Sequence, residues 1–192
     1  MAKPPTSETL LTTSLALTRT LDLESVLAAL LDSMAQLVPY DSANVMLVEA
    51  GSRLSLHALR GYEPWVDPAQ TSAITMNGGT NPILAEILRT QKCLLIPDTR
   101  KYPGWEQRPG TEQVLCWLGV PLLAGGSVIG IYSLDKAEAG GFTEEHCRLA
   151  ESLAPHAALA VQNARLFARE HAAREEAERL QAATRALSAT LD

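Results

Sequence analysis

Aromatic residues are scarce in this 192-residue chain, at 5%, with three Trp, four Tyr and two Phe. A well-packed interior must therefore be built from Leu, Val, Ile and Ala. The 46% hydrophobic content supplies them and excludes a disordered chain. Cysteine is scarcer still. Cys93, Cys116 and Cys147 are odd in number, widely spaced and without a C-x-x-C, which speaks against a secreted disulfide framework and for a reducing compartment. Positive charge is not in excess: the net charge is −6, so the surface repels phosphate backbones. The densest basic stretch, Arg165, Arg169, Arg174, Arg179 and Arg185, is interleaved with Glu170, Glu175, Glu176 and Glu178. That is the pattern of a solvated helix face, and nucleic acid is not expected as a partner. No apolar run reaches the roughly 18 residues of a membrane span, and Met1-Ala-Lys-Pro-Pro-Thr-Ser is not followed by a signal core. The expectation is a cytoplasmic segment without membrane contact.

What is present reads as one domain with extensions. Thr6 to about Val38 has helical periodicity, with a break near Leu21-Asp22-Leu23 and a stop at Pro39. Ala43–Glu49 and Arg53–Leu59 read as strands joined by the turn Ala50-Gly51-Ser52, and residues 60–79 read as loop ending in the turn signal Asn77-Gly78-Gly79. Asn81-Pro82 opens a short helix, Ile83 to Thr90, and Cys93–Ile96 is a short strand. A second polar loop, 98–112, precedes two apolar runs, Val114–Leu123 and Val128–Leu134, flanking Ala124-Gly125-Gly126-Ser127. This is the strongest hairpin signal in the chain. Thr143-Glu-Glu starts a helix that runs almost to Asp192, with a kink expected around Pro155.

Within that last helix, Leu159, Leu166, Ala173, Leu180 and Leu187 fall seven apart. Placed at d, they put Asn163, Glu170, Ala177, Thr184 and Leu191 at a, the pattern of a weak, adjustable coiled coil. Ala16-Leu-Thr-Arg-Thr-Leu-Asp22 is echoed by Ala186-Leu-Ser-Ala-Thr-Leu-Asp192, which reads as the start of a second copy of the same module.

Six short motifs in order carry a family resemblance: Leu23-Glu-Ser-Val-Leu27, Leu95-Ile-Pro-Asp98, Trp117-Leu-Gly-Val-Pro-Leu122, Val128-Ile-Gly-Ile-Tyr-Ser-Leu-Asp135, Gly141-Phe-Thr-Glu-Glu145 and Ala160-Val-Gln-Asn-Ala-Arg-Leu166. Together they resemble the GAF family of sensory domains, most of all the GAF domains placed in tandem in bacterial multi-sensor histidine kinases. The resemblance implies an α+β fold: an antiparallel sheet of five to six strands, terminal helices on one face, and loops enclosing a pocket on the other. It divides the chain into an N-terminal signalling and dimerisation helix (1–21), the GAF domain (22–168) and a coiled-coil linker helix (169–192) leading into a second GAF domain.

A ligand site should be apolar with a few placed polar groups. Asn77, Gly78, Thr80, Asp98, Trp105, Trp117 and Tyr132 lie in segments that would border it. The plainer readings are sheet packing for Trp117 and Tyr132 and a turn cap for Asp98. Leu10, Leu17, Leu159, Leu166, Leu180 and Leu187 are the expected contacts of a homodimer. The family's cyclic-nucleotide signature is not met, because Asp135-Lys136 stands for Asn-Lys and His146-Cys147 for Asp-Glu. Covalent bilin attachment is disfavoured, since Glu145-His146-Cys147 reverses the usual Cys-His order.

Three cysteines match the count of GAF-fold methionine sulfoxide reductases, but Cys116 lies within an apolar run, where a thiol is inert core. The four histidines have no triad or metal spacing, and His171 lacks a phosphoacceptor context. The expectation is a non-enzymatic sensory module that binds an unidentified small molecule and relays the signal through dimeric helices to an output domain in the same polypeptide, a histidine kinase. The alternatives are a ligand-free dimerisation spacer and a thiol-dependent reductase. No cofactor is assigned.

Overall fold

The computed structural model describes residues 23–49, 53–62, 74–108 and 110–189, without the side chains of 182–189. The expected N-terminal helix before Leu23, the turn at 50–52 and the two ends of the sequence echo lie outside these residues. Among the described residues three α-helices and six strands follow in order: α1 (Leu23–Leu37), β1 (Ser42–Val48), β2 (Arg53–Arg60), β3 (Thr75–Asn77), α2 (Pro82–Thr90), β4 (Leu94–Ile96), β5 (Cys116–Ala124), β6 (Ser127–Lys136) and α3 (Glu144–Ala189). The strands form a single antiparallel sheet ordered β3-β2-β1-β6-β5-β4. This is the α+β architecture that the motifs implied.

Period-2 alternation in the central strands sends side chains to two different layers. Ala43, Val45 and Leu47 of β1, Cys116, Leu118 and Val120 of β5, and Tyr132 and Leu134 of β6 face the helices. There they meet Val26, Leu27, Leu30, Leu31 and Met34 of α1. The matching face of α3 is largely alanine, at 150, 154, 157, 158, 160 and 164, so the helix backbone approaches closely. On the opposite face, Met46, Ile131 and Trp117 meet Ile83, Leu84 and Ile87 of α2. Leu54 and Leu56 of β2 join this second layer, whereas Ala58 turns to the first. A bulge causes the switch: Val45 faces Ala58 and Met46 faces Leu56, leaving His57 as the extra residue.

The caps are local and legible. Asn81 Oδ1 accepts from Ile83 N–H at 3.1 Å and Leu84 N–H at 3.0 Å, with Pro82 in the first turn of α2. Thr143 Oγ1 accepts from His146 N–H at 3.4 Å while His146 Nδ1 accepts from Thr143 N–H at 3.2 Å. This is a reciprocal cap with histidine in the place of the usual Glu or Gln. α3 then continues as one 46-residue helix through Pro155, which lies on its exposed side.

Two expectations are corrected. The loop read at 60–79 contains β3, a three-residue edge strand pairing Arg53–Ser55 with Thr75–Asn77, too short to leave a periodic signal. The scattered cysteines, read as speaking against disulfides, include a bonded pair: Cys93 and Cys147 form a disulfide, with Cα atoms 6.1 Å apart at a sequence separation of 54. Cys116 alone is free, and it is buried. β4 pairs with β5, and α3 packs on the helical face of the sheet, so the two sulfurs meet although no short spacing announces it. The odd count therefore carries no argument for a reducing compartment. Among the described residues, no helix is long and apolar enough to cross a membrane.

Candidate functional site

A cavity of about 120 Å³ lies on the face of the sheet away from α1 and α3. Its apolar wall is Met46, Met76, Ile83, Leu84, Val114 and Ile131, and Trp105 and Trp117 complete it. The two indoles meet edge to face, with centroids 5.9 Å apart and planes at 65°. Gly119 makes room for this: a Cβ there would collide with the Trp117 ring and stand 2.8 Å from Ile87 Cδ1. The mouth carries Glu106, Arg108 and Thr111 from the loop ahead of β5, with Arg108 Nη2 3.7 Å from the Glu106 carboxylate.

The base is polar and buried. Ser42 pairs across the sheet with Asp135, and Asn44 with Ser133. All four therefore sit on the cavity side of β1 and β6, in phase with Met46 and Ile131. Gly61, at φ +75 with its Cα against the Asp41 carbonyl, turns the chain after β2. The next residue, Tyr62, donates its hydroxyl hydrogen to Asp135 Oδ2. Ser42 Oγ donates to the same oxygen at 2.8 Å, and Asn44 Nδ2 donates to the Tyr62 oxygen at 3.3 Å. Asp135 is 2% exposed. Burial pushes its carboxyl up to about 7, against the opposing pull of the Tyr62 and Ser42 hydrogen bonds and with a further push from Asp41. Burial and the neighbouring Asp135 hold the Tyr62 phenol well above its ordinary range. The Nε1 of Trp105 is buried and has no hydrogen-bond partner among the described residues.

The expected site residues divide. Trp105 and Trp117 line the cavity. Asn77, Gly78 and Thr80 do not: they build the turn ahead of α2, where Asn77 Oδ1 accepts from Gly79 N–H at 2.8 Å, and their neighbours Met76 and Asn81 line the wall instead. Asp98 caps the short 3₁₀ turn Thr99–Lys101. Arg100 grips it at 2.8 and 3.0 Å and Lys101 at 3.0 Å, and these partners hold its carboxyl well below the usual carboxylate range. Tyr132 faces the helices, fully buried, donating to the Ala150 carbonyl at 2.6 Å. Its odd-even phase on β6 is opposite to that of Ser133 and Asp135.

The residues not foreseen are Ser42, Asn44, Tyr62, Ser133 and Asp135. A signal for four of them existed: Ser42-Ala-Asn44-Val and Ser133-Leu-Asp135 put polar side chains at every second position of strands that are otherwise apolar on both faces.

Of the six leucines expected at a dimer contact, Leu10 and Leu17 lie outside the described residues, as does the side chain of Leu187. Leu159, Leu166 and Leu180 are exposed on α3, at 50, 61 and 63%. Phe167 is exposed beside them.

Comparison with known proteins places this architecture. A family profile described as GAF domain matches residues 20–162, well over half of the chain. The chain belongs to the GAF domain family. Its fold recurs in the GAF domain of a phosphoenolpyruvate-protein phosphotransferase from Coxiella burnetii, with 20% identity, a TM-score of 0.73, and 84% of this chain and 95% of that one covered. It recurs also in a GAF domain/HD domain protein from Geobacter sulfurreducens, with 20% identity, a TM-score of 0.64, and 80% and 99% covered. A third likeness is to a free methionine-R-sulfoxide reductase from Neisseria meningitidis in complex with its substrate, with 14% identity, a TM-score of 0.69, and 87% and 98% covered. None of the curated proteins compared matches this sequence. GAF is a signal-sensing fold, and in this GAF domain the loop-covered face holds the cavity while the opposite face holds the terminal helices.

Proposed function

We propose that this GAF domain is a non-catalytic input module. It takes up a small molecule in the cavity and passes the signal through dimeric α3 helices to an output domain, a histidine kinase, in the same polypeptide. The observation that carries the reading is the cavity base. A folded domain gains nothing from burying Asp135, Tyr62 and Ser42 beside an open space of about 120 Å³ unless something fills that space. A non-catalytic role is supported by the cysteines, since none of the three lines the cavity and Cys116 points into the helical layer. Thiol chemistry of the reductase kind would have no nucleophile at hand. Dimerisation is supported by Leu159, Leu166 and Phe167, exposed on one long helix whose described side chains from Leu166 to Gln181 are all exposed.

Two measurements test the two halves. Titration of small-molecule fragments, followed by the indole N–H resonances of Trp105 and Trp117, should show saturable shifts; their absence for every class of fragment would leave a ligand-free spacer. Leu159→Asp with Leu166→Asp should move the protein toward monomer in sedimentation, and a double variant as dimeric as the parent would end the helix-relay reading.

A further inference from the structure

We propose that the occupant of the cavity is a small organic cation, an ammonium group on a short apolar body, whose charge pairs with Asp135. The inference rests on the cavity being a ligand site, and it adds the ligand's chemistry. Size comes first. A hole of about 120 Å³ is somewhat smaller than the ~150 Å³ cavity that admits benzene. The enclosed part of the ligand therefore has about five or six non-hydrogen atoms. Charge comes second. A buried carboxylate repels anions and gains most from a cation that shares its low-dielectric surroundings. Among the described residues none is supplied at the base. Lys136 is turned to Asp41, at 3.3 Å, and Arg108 sits exposed at the mouth beside Glu106. The other ionisable groups around Asp135 are Asp41 and Tyr62, neither of them cationic. Walls come third. Two indoles crossing edge to face present π-surfaces to an ammonium group, and the methionine and isoleucine side chains accept its alkyl portion. The indole N–H of Trp105, without a partner among the described residues, adds a donor for an acceptor atom on a larger ligand of the same class.

The pH dependence follows from the carboxyl of Asp135, raised to about 7 by burial. Below that pH the carboxyl must give up its proton before it can pair with a cation. Affinity for an ammonium group should therefore increase about tenfold between pH 6 and pH 8, and affinity for a neutral isostere should not change.

The experiment uses n-butylammonium, 1-butanol and butyrate as probes of nearly equal size. Each is titrated against the whole chain at pH 6 and pH 8 while the assigned indole N–H resonances are followed. The inference expects n-butylammonium to bind best, about tenfold tighter at pH 8, and Asp135→Asn to abolish both the preference and its pH dependence. Near-ultraviolet circular dichroism verifies the fold of the variant, and the pH series on the parent chain needs no variant at all. Binding of 1-butanol or butyrate as tight as that of n-butylammonium overturns the cation and leaves the sensory reading standing. So does an ammonium preference that survives Asp135→Asn. If no probe moves either indole, both fall together.

Discussion

The two faces of the sheet are built from the same strands and have opposite characters. On the helical side, β1, β5 and β6 contribute aliphatic side chains, together with Tyr132, whose hydroxyl is satisfied by the Ala150 carbonyl, and the layer is closed by α1 and the alanine face of α3. On the loop side the same strands contribute Asn44, Ser133 and Asp135 among Met46, Ile131 and Trp117, around a space that the described residues leave open. The contrast teaches where selection for stability ends: a polar, half-empty face is tolerated because the other face holds the fold.

The largest way to break this contrast is through Asp135. Its carboxyl titrates at about 7 in the fold against 3.8 when unperturbed. A folded-state pKa above the unfolded one gives stability that is fully present below about pH 4 and is lost as pH rises through 7. The difference is about 4 kcal/mol. Urea unfolding between pH 4 and pH 8 should show that slope, and Asp135→Asn should flatten it; equal slopes in both proteins would contradict the cavity-base geometry.

Opening the Cys93–Cys147 bridge acts on the other side, where it ties the start of β4 to the first turns of α3. Releasing a loop of 54 residues should cost about 3–4 kcal/mol. Denaturation with and without a phosphine reductant measures it, with Cys93→Ala/Cys147→Ala as the matched variant.

A smaller and sharper comparison truncates one residue on each face. Leu118→Ala, in the closed helical layer, should cost about 3 kcal/mol. Ile131→Ala, which only enlarges a space already there, should cost about 2 kcal/mol. Thermal unfolding of both variants would dissolve the contrast if the order were reversed.

The helical side was also the more legible in the sequence. Val26, Leu27, Leu30, Leu31 and Met34 announce a buried helix face by spacing alone, and Gly125-Gly126 announces the β5–β6 hairpin. The loop side was legible only in part. Trp105 and Trp117 were found because they lie in segments expected to border the pocket. Asp135 was read as a variant of a nucleotide signature, when its phase with Ser133 made it a cavity residue. Tyr62 could not be placed from sequence, because its position depends on Gly61 meeting the Asp41 carbonyl across the sheet. The disulfide was out of reach for a related reason: contacts between residues 54 apart come from topology, and local pattern does not encode them.

That disulfide has a mechanical meaning for α3. Cys147 lies in the opening turn and is covalently pinned to the sheet edge, while the side chains from Leu166 to Gln181 stand clear of the body. A rod fastened at one end cannot slide along its axis, but it can swing. From Leu166, where it leaves the packed body, to Ala189 the rod is about 35 Å long at 1.5 Å per residue. A tilt of about 5° there therefore sweeps its tip through about 3 Å, roughly the rise of two residues.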